Sequence, residues 1–231
     1  YGHWKDCGIL VRGEAVWSMT AMFLAFWDYV DRRQENVAAF RCEDSAVPSD
    51  GYIQPFADSP LDSEHVGAAI FQSLIRSARR YVWMMTPYLI LDDEMTSALC
   101  TAARTGVDVR IITPGVPDKW YVHAVTRANY EALTEAGVKI YEYLPGFIHS
   151  KVCLSDDRYA VVGTVNMAYR RLYLHFEDGV YLYGSAAIAD VRADFDAAFP
   201  KCREVTYAAC KHTHLAQRLL QTLLRLFSPL L

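Results

Sequence analysis

A histidine and a lysine two residues apart form the stretch of this chain that is best equipped for chemistry. His149 and Lys151 are followed by Asp156, and Asn166 ends the sequence Gly163-Thr-Val-Asn. Residues i and i+2 of an extended strand project from one face, so the imidazole and the ammonium are expected to share a pocket. An imidazole can attack or carry protons while an ammonium holds phosphoryl oxygens, which suits phosphodiester chemistry. Asp156 is included in the site as an orienting or structural group.

The pattern of apolar residues predicts the elements that position these side chains. Strands are predicted at 5–12, 52–56, 81–85, 107–113, 138–143, 151–154, 159–163 and 178–183. Helices are predicted at 14–33, 63–78, 92–105, 119–136 and 185–199, with a linker over 41–62. Repeated strand-helix units indicate an α/β fold in which helices cover both faces of a mixed, mainly parallel sheet.

The same residues carry a resemblance to a known family. His149, Lys151 and Asp156 resemble the HxK(x)4D signature of the phospholipase D superfamily, and Gly163 to Asn166 match its G-[ST]-x-N extension. Flanking segments are similar to bacterial phospholipase D-type cardiolipin synthases: Trp83 to Tyr88, Val116 to Lys119, and His175 to Asp178. The resemblance implies a phospholipase D-like α/β/α sandwich and a phosphohistidine intermediate. It implies no cofactor and no metal.

The resemblance also assigns roles to single residues. His149 would be one of two catalytic histidines, and the sequence leaves open which of the two attacks phosphorus. Glu177 is expected to accept the other N–H of the His149 imidazole and thereby fix its tautomer. The remaining expected contacts to the phosphoryl group and the lipid come from Lys151, Asn166, Thr164 and Tyr88.

Such enzymes carry two motifs, whereas this chain carries one. An internal repeat that aligns Gly13 with Gly184 places Asp6 on Glu177. The start of the chain is therefore interpreted as the end of a first half whose histidine would precede Tyr1. Asp6 is predicted to orient that missing first-half histidine.

Three segments follow from this interpretation. Residues 1–57 are the tail of the first half and a linker, 58–208 are the second half with the catalytic motif, and 209–231 are a C-terminal amphipathic helix. The helix has a leucine-rich stripe opposite Arg218 and Arg225. Two interpretations stay open: an interfacial helix on anionic lipid, or a helix docked on the domain.

Composition narrows the choice of partners. The net charge is −4 and no block of basic residues occurs, which argues against a nuclease and against nucleic acid as a partner. The six cysteines lack metal-ligand spacing and fit a reducing compartment. The longest uncharged run, 15–27, is shorter than the roughly 20 residues that span a bilayer.

The resemblance implies a phosphatidyltransferase that makes cardiolipin from two phosphatidylglycerols and is inactive as a fragment alone. Its expected partners are phosphatidylglycerol, the membrane surface and the missing N-terminal half. The expected location is the cell membrane, with the active site on the cytoplasmic side. The alternatives are another phospholipase D-type lipid hydrolase or transferase, a non-catalytic lipid-surface fragment and, more remotely, a metal-independent nuclease with a homodimeric site.

Overall fold

A large mixed sheet forms the centre of the molecule. The computed structural model describes residues 2–42, 48–60, 64–168, 176–211 and 224. The strands are β1 (Trp4–Lys5), β2 (Tyr52–Asp58), β3 (Tyr81–Met85), β4 (Asp108–Pro114), β5 (Lys139–Tyr143), β6 (Phe147–Ile148), β7 (Val152–Ser155), β8 (Tyr159–Gly163), β9 (Glu177–Tyr183) and β10 (Cys202–Val205). Eight of them form one sheet in the order β10-β5-β4-β3-β7-β8-β9-β2, and β1 pairs with β6 in a second sheet.

The mixed α/β architecture is confirmed, although parallel pairing is less common than predicted. Among the described strands of the large sheet, only β3 with β4 and β4 with β5 pair in parallel, and the other five pairings are antiparallel. The reason lies in the connections. Helices join β3 to β4 and β4 to β5, as parallel neighbours require, whereas a tight hairpin joins β7 to β8. The two edge strands, β2 and β10, also join antiparallel.

Helices cover both faces of this sheet. They are α1 (Ala15–Asp31), α2 (Val66–Ser77), α3 (Asp93–Arg104), α4 (Trp120–Ala128), α5 (Tyr130–Glu135), α6 (Ala187–Ala198) and α7 (Tyr207–Lys211). Val82 and Met84 of β3 belong to the core cluster under α2, α3 and α5. Tyr81 and Trp83 point the other way, into the cluster under α6. All five β3 residues are buried, as expected for a central strand with apolar contacts on both faces.

Local sequence signals explain where several helices begin and end. The Asp92 side chain accepts a hydrogen bond from the Met95 N–H at 2.7 Å and caps α3, as predicted. Gly106 follows that helix with a φ of 97°, a conformation that favours glycine. The single helix predicted over 119–136 is instead two helices, because Asn129 ends α4 and uses its side-chain amide to hold the Leu89 carbonyl at 2.8 Å.

The start of the chain packs against the same domain as the motif. The strand predicted over 5–12 is reduced to β1, which pairs in parallel with β6. Residues farther along this segment, among them Cys7, Ile9 and Val11, pack against the cluster under α6. β2 pairs with β9 along its whole length, so the domain boundary predicted after residue 57 falls inside a strand of the main sheet.

The predicted C-terminal amphipathic helix falls mostly outside the described residues. Within it the structure describes α7 up to Lys211 and then Leu224 alone. Leu224 is partly buried against the apolar cluster formed by Ile90, Val122, Val125 and Ala168. Among the described residues, no helix is both long enough and apolar enough to cross a membrane.

Candidate active site

His149 and Lys151 meet at the end of the small sheet. β6 ends at Ile148 and β7 begins at Val152, so the motif lies in the link between two strands rather than within one. The two side chains nevertheless turn to the same side. The Lys151 Nζ lies 2.8 Å from the His149 Nε2 and 2.5 Å from the His149 carbonyl oxygen. The expected imidazole–ammonium pair is therefore present.

Asp6 completes the environment of the imidazole. Its Oδ2 lies 2.7 Å from the His149 Nδ1. The β1–β6 pairing brings it there, because the His149 backbone N–H donates to the Lys5 carbonyl at 2.7 Å. The sequence prediction assigned Asp6 to a histidine outside this chain, and the structure places it on His149 instead. A carboxylate 143 positions away in sequence thus becomes the partner of the motif histidine.

The two contacts together define the tautomer of His149. A lysine ammonium can donate hydrogen bonds but cannot accept them, so the Nε2 facing Lys151 must carry the lone pair. The proton then sits on Nδ1 and is donated to Asp6. This arrangement leaves Nε2 as the nitrogen available for attack or for proton transfer.

The Asp6 carboxyl is tuned to remain ionised. Partial burial raises its pKa, but the hydrogen bonds from His149 and from the Cys7 backbone N–H, with the positive charge of Lys151, outweigh that effect. The net result is a pKa below the ordinary value of 3.8. Asp6 can therefore act as a permanent anion that orients His149 and stabilises its protonated form.

Glu177 was expected to hold the imidazole, but the described contacts of its two ring nitrogens are made by other residues. Asp6 occupies Nδ1 of His149 and Lys151 occupies Nε2, so both ring nitrogens already have partners. Glu177 is the first residue of β9 and is 5 % exposed. Spacing along one chain cannot show that β1 lies against the motif, so the contact with Asp6 was not predicted.

Aromatic rings form the walls around His149. The Trp4 ring centroid lies 5.1 Å from the imidazole, and the Phe147 centroid lies 6.1 Å from it. Trp4 and Phe147 also contact each other, with centroids 4.8 Å apart. The His149 side chain keeps 34 % of its surface exposed, so the imidazole is open to solvent on one side. The sequence analysis did not assign either aromatic residue to the site, although both lie within two residues of a site residue.

Asn166 follows β8, the strand whose last residue is hydrogen-bonded to the backbone of Lys151. The Gly163 N–H donates to the Lys151 carbonyl at 3.2 Å, which brings the end of β8 beside the motif. A β-carbon on Gly163 would lie 2.4 Å from the Asp178 carbonyl oxygen, so only glycine allows this close approach. Asn166 is 5 % exposed, and its Oδ1 has no hydrogen-bond partner among the described residues. The buried Oδ1 can accept a hydrogen bond from a donor group of a ligand, whereas a phosphoryl oxygen would be bound by the Nδ2–H groups of the same amide.

The two predicted substrate-binding residues have structural partners. The Thr164 hydroxyl accepts a hydrogen bond from the Asp178 N–H at 3.0 Å and so joins the turn to β9. The Tyr88 hydroxyl donates to the Asp118 carboxylate at 2.5 Å, and its ring lies 6.3 Å from that of Phe147. Tyr88 therefore lies on the wall that also holds the motif, whereas the side chain of Thr164 is turned toward the backbone of β9.

Asp156 lies at the opposite end of β7 from Lys151, so the structure does not place it in the catalytic group. Its carboxylate accepts backbone N–H bonds from Arg79, Arg80 and Tyr81 at 2.7 to 2.9 Å. Burial raises its pKa, but these three bonds and the charge of Arg80 outweigh it and hold the pKa below the ordinary value. Asp156 thus anchors the start of β3 to the β7–β8 turn, in agreement with the structural alternative.

The arrangement provides one imidazole with a defined lone pair, one anion behind it and one cation in front of it. Within the described ranges, no group of three or more histidine, cysteine, aspartate or glutamate side chains could hold a metal ion. The positive charge at the site comes from Lys151. The His149 imidazole in this environment can attack a phosphodiester or pass a proton to its leaving oxygen.

Comparisons with known proteins identify the family of this chain. The family model described as "Cardiolipin synthase, PLD-like domain" matches residues 71–199. An uncharacterized protein of Streptococcus mutans is 43% identical over 231 residues, which cover 100% of this chain and 50% of that protein. The cardiolipin synthase of Alkalihalophilus pseudofirmus is 37% identical over 232 residues, covering 100% of this chain and 46% of that enzyme. The chain thus spans about half the length of the curated relatives it matches.

Solved structures share the fold at lower identity. Nuc of Salmonella typhimurium, a phospholipase D family member, aligns with a TM-score of 0.56 at 19% identity, covering 67% of this chain and 98% of that one. The phosphatidylserine synthase of Haemophilus influenzae aligns with a TM-score of 0.59 at 19% identity, covering 77% of this chain and 45% of that one. The fold, the motif geometry and the family match together show that this chain belongs to the phospholipase D-like domain family of the cardiolipin synthases.

Proposed function

We propose that this chain supplies one of the two histidine sites of a phosphatidyltransferase that makes cardiolipin and glycerol from two molecules of phosphatidylglycerol. The proposal rests on the two contacts of the His149 ring nitrogens. Asp6 holds its Nδ1–H at 2.7 Å and Lys151 lies 2.8 Å from its Nε2. An oriented imidazole beside a fixed cation is the combination that phosphoryl transfer needs.

The reaction divides into two displacements at phosphorus. In the first, a histidine nitrogen forms a P–N bond while the bond from phosphorus to the glycerol headgroup breaks, and a second histidine donates a proton to the departing oxygen. In the second, the hydroxyl of another phosphatidylglycerol gives its proton to that second histidine and attacks phosphorus, and the P–N bond breaks. His149 serves one of these two tasks. Lys151 and Asn166 stabilise the negative charge on the non-bridging oxygens.

The position of Asp6 suggests a role for Glu177. Asp6 belongs to the segment that resembles the end of a first half, yet it orients the histidine of the second half. The internal repeat aligns Glu177 with Asp6. By this symmetry, Glu177 orients the first-half histidine across the same interface, and the two halves exchange their orienting carboxylates.

The names of the relatives support cardiolipin as the product of the reaction. Curated proteins that match the whole chain at 34 to 37% identity are named cardiolipin synthases. Their name refers to a lipid product, so we place the protein at the cell membrane. The cysteines that the structure describes are all free thiols, which fits a site on the cytoplasmic side.

The test is a complementation assay. The purified chain is mixed with vesicles that contain labelled phosphatidylglycerol, alone and with a second polypeptide that carries the first-half motif; we call the two chains together the reconstituted pair. We expect cardiolipin and glycerol from the pair and none from the chain alone, because one histidine cannot both attack phosphorus and protonate the leaving oxygen. Cardiolipin made by the monomeric chain alone would contradict the two-site mechanism. Phosphatidic acid from the pair in place of cardiolipin would identify a hydrolase.

A matched pair of variants tests the exchanged carboxylates in the same assay. Glu177→Gln removes the carboxylate that is proposed to face the first-half histidine, and should lower the kcat of the pair by about 100-fold. Asp178→Asn changes the neighbouring residue, whose described contacts to Thr164 are made by its backbone, and should leave kcat within about twofold. Equal kcat values for the two variants would remove Glu177 from the mechanism.

A further inference from the structure

The segment that follows β3 runs beside the turn that carries Asn166. The Ile90 N–H donates to the Met167 carbonyl at 2.9 Å, and Ile90 forms an isolated parallel bridge with Ala168. The Ala168 N–H in turn donates to the Asn166 carbonyl at 2.7 Å. The backbone on the C-terminal side of Asn166 is therefore tied both to itself and to the neighbouring segment.

A single buried hydroxyl completes this set of contacts. Thr86 is 0 % exposed and lies directly after β3. Its Oγ1 donates to the Tyr88 carbonyl at 2.8 Å and accepts from the Met167 N–H at 3.1 Å. The hydroxyl thus uses its one proton and one lone pair to join two segments, in a place that water does not reach.

The segment that holds Thr86 is itself fixed by two more buried side chains. The Leu89 N–H donates to the Thr126 hydroxyl at 3.2 Å, and the Leu89 carbonyl accepts from the Asn129 amide at 2.8 Å. Thr126 and Asn129 are 1 % and 4 % exposed. Asn129 lies at the break between α4 and α5, and from there its side chain reaches the Leu89 carbonyl.

We propose that Thr86 is a positioning residue for Asn166. Its hydroxyl accepts the Met167 N–H, and the Asn166 carbonyl of the same peptide group accepts from the Ala168 N–H, so both polar groups of the peptide that follows Asn166 are held. The Asn166 Oδ1 has no described partner, and the Nδ2–H groups of the same amide are the donors that a phosphoryl oxygen requires. This inference rests on the proposed function, in which Asn166 stabilises charge in the transition state. A fixed donor acts there without reorganisation.

Two substitutions at Thr86 separate a polar role from a packing role. Thr86→Val keeps the shape of the side chain and removes the hydroxyl, whereas Thr86→Ser keeps the hydroxyl and removes the methyl group. In the reconstituted pair, Thr86→Val should lower kcat by about 10- to 100-fold with KM within about twofold, and Thr86→Ser should stay within about threefold of wild type. Thr113→Val is the matched control, because Thr113 is also 0 % exposed and the described hydrogen bond of its hydroxyl is to Tyr130, at 2.7 Å.

Amide hydrogen exchange in the purified chain is a second measurement, which does not require an enzymatically active pair. The Met167 N–H should exchange at least about tenfold faster in Thr86→Val than in Thr86→Ser or Thr113→Val. If Thr86→Val fails to fold, Thr86→Ser decides alone. A large loss of kcat in Thr86→Ser would show that the methyl group matters and would overturn the inference.

The outcomes also separate this inference from the proposed function. A wild-type pair that transfers no phosphatidyl group refutes the proposed function, while faster Met167 exchange in Thr86→Val would still establish the contact. An active wild-type pair whose kcat is unchanged by Thr86→Val refutes the positioning role alone. Unchanged Met167 exchange in Thr86→Val refutes it as well.

Discussion

At the scale of single residues, the site depends on two segments that lie far apart in the chain and meet in the fold. His149 and Lys151 come from one short motif, but the carboxylate that fixes the imidazole comes from Asp6. The ion pair of Lys5 with Asp194, at 2.7 Å, holds the same N-terminal segment to α6. The motif therefore supplies the reactive groups, and the N-terminal segment supplies their orientation.

Asp6→Asn should separate orientation from stability. In the reconstituted pair we expect kcat to fall by about 100-fold or more, because an asparagine can hold the wrong tautomer and cannot stabilise the imidazolium. The melting temperature should hardly change, since 53 % of the Asp6 side chain is exposed. Steady-state kinetics with vesicle substrate and a thermal melt of the purified chain measure the two effects.

Asp194→Asn is the control for this experiment. Asp194 is a partly exposed carboxylate that binds the same N-terminal segment through Lys5 but makes no described contact with His149. Its substitution should leave kcat within about threefold of wild type. A similar loss of kcat in both variants would show that the position of the segment matters and the Asp6 carboxylate does not.

At the scale of elements, the turn between β7 and β8 connects the motif strand to β3. Asp156 and Asp157 adopt positive φ values of 56° and 57°, which aspartate tolerates better than most residues. Asp156 then accepts three backbone N–H groups at the start of β3. The motif aspartate is thus a structural anchor between two central strands.

Asp156→Asn should lower stability and spare catalysis. Asparagine tolerates the positive φ but loses charged hydrogen bonds, so we expect about 1–2 kcal/mol of destabilisation at pH 7 in urea unfolding. We expect kcat to stay within about twofold once folding is ensured. A large loss of kcat in a fully folded Asp156→Asn variant would return this residue to the catalytic group.

The stabilisation by Asp156 should also depend on pH. Its folded pKa lies below 3.8, despite the opposing effect of burial, because it accepts three N–H bonds near Arg80. A carboxyl group with a lowered folded pKa stabilises the protein fully above its unfolded pKa of about 3.9, and this contribution is lost as pH falls through the folded value. The stability difference between wild type and Asp156→Asn should therefore shrink below about pH 4. A difference that stays constant down to pH 2 would contradict this account.

At the scale of the whole molecule, α1 is the least buried of the long helices. Its one buried residue is Leu24, whereas Phe23 and Trp27 are 61 % and 52 % exposed and their ring centroids lie 6.0 Å apart. A contiguous exposed aromatic surface on a helix usually marks an interface. Because the relatives are about twice as long as this chain, we expect the first-half domain to cover this surface.

The double substitution Phe23→Ser with Trp27→Ser tests this surface. We expect the dissociation constant of the reconstituted pair, measured by sedimentation, to rise by about tenfold or more, since buried aromatic residues dominate interface energies. The melting temperature of the chain alone should stay nearly constant, because these side chains are exposed. Trp120→Ser changes an aromatic residue of α4 that is 66 % exposed and should not weaken the pair. Equal weakening by Trp120→Ser would argue against an interface confined to α1.

Much of the fold is determined by local sequence patterns. The continuous apolar run of β3 and the Asp92 cap of α3 were predicted correctly because each depends on neighbouring residues. The short strands β6 and β10 were not predicted. β6 has two residues and β10 joins the edge of β5, so neither has a strong local pattern. The antiparallel share of the sheet was also underestimated, because pairing depends on how distant strands meet.

The sequence by itself determined the reactive pair, because the types and spacing of His149 and Lys151 are local properties. Only the tertiary structure showed that Asp6 contacts His149: the sequence assigned Asp6 to a first-half histidine, and the β1–β6 pairing brings it to His149 instead. The structure likewise placed Asp156 on the backbone of β3 rather than in the catalytic group. The physical reason is the same in each case. A side chain's chemistry is set by its residue type, but its partner is set by contacts between segments that lie far apart in the chain.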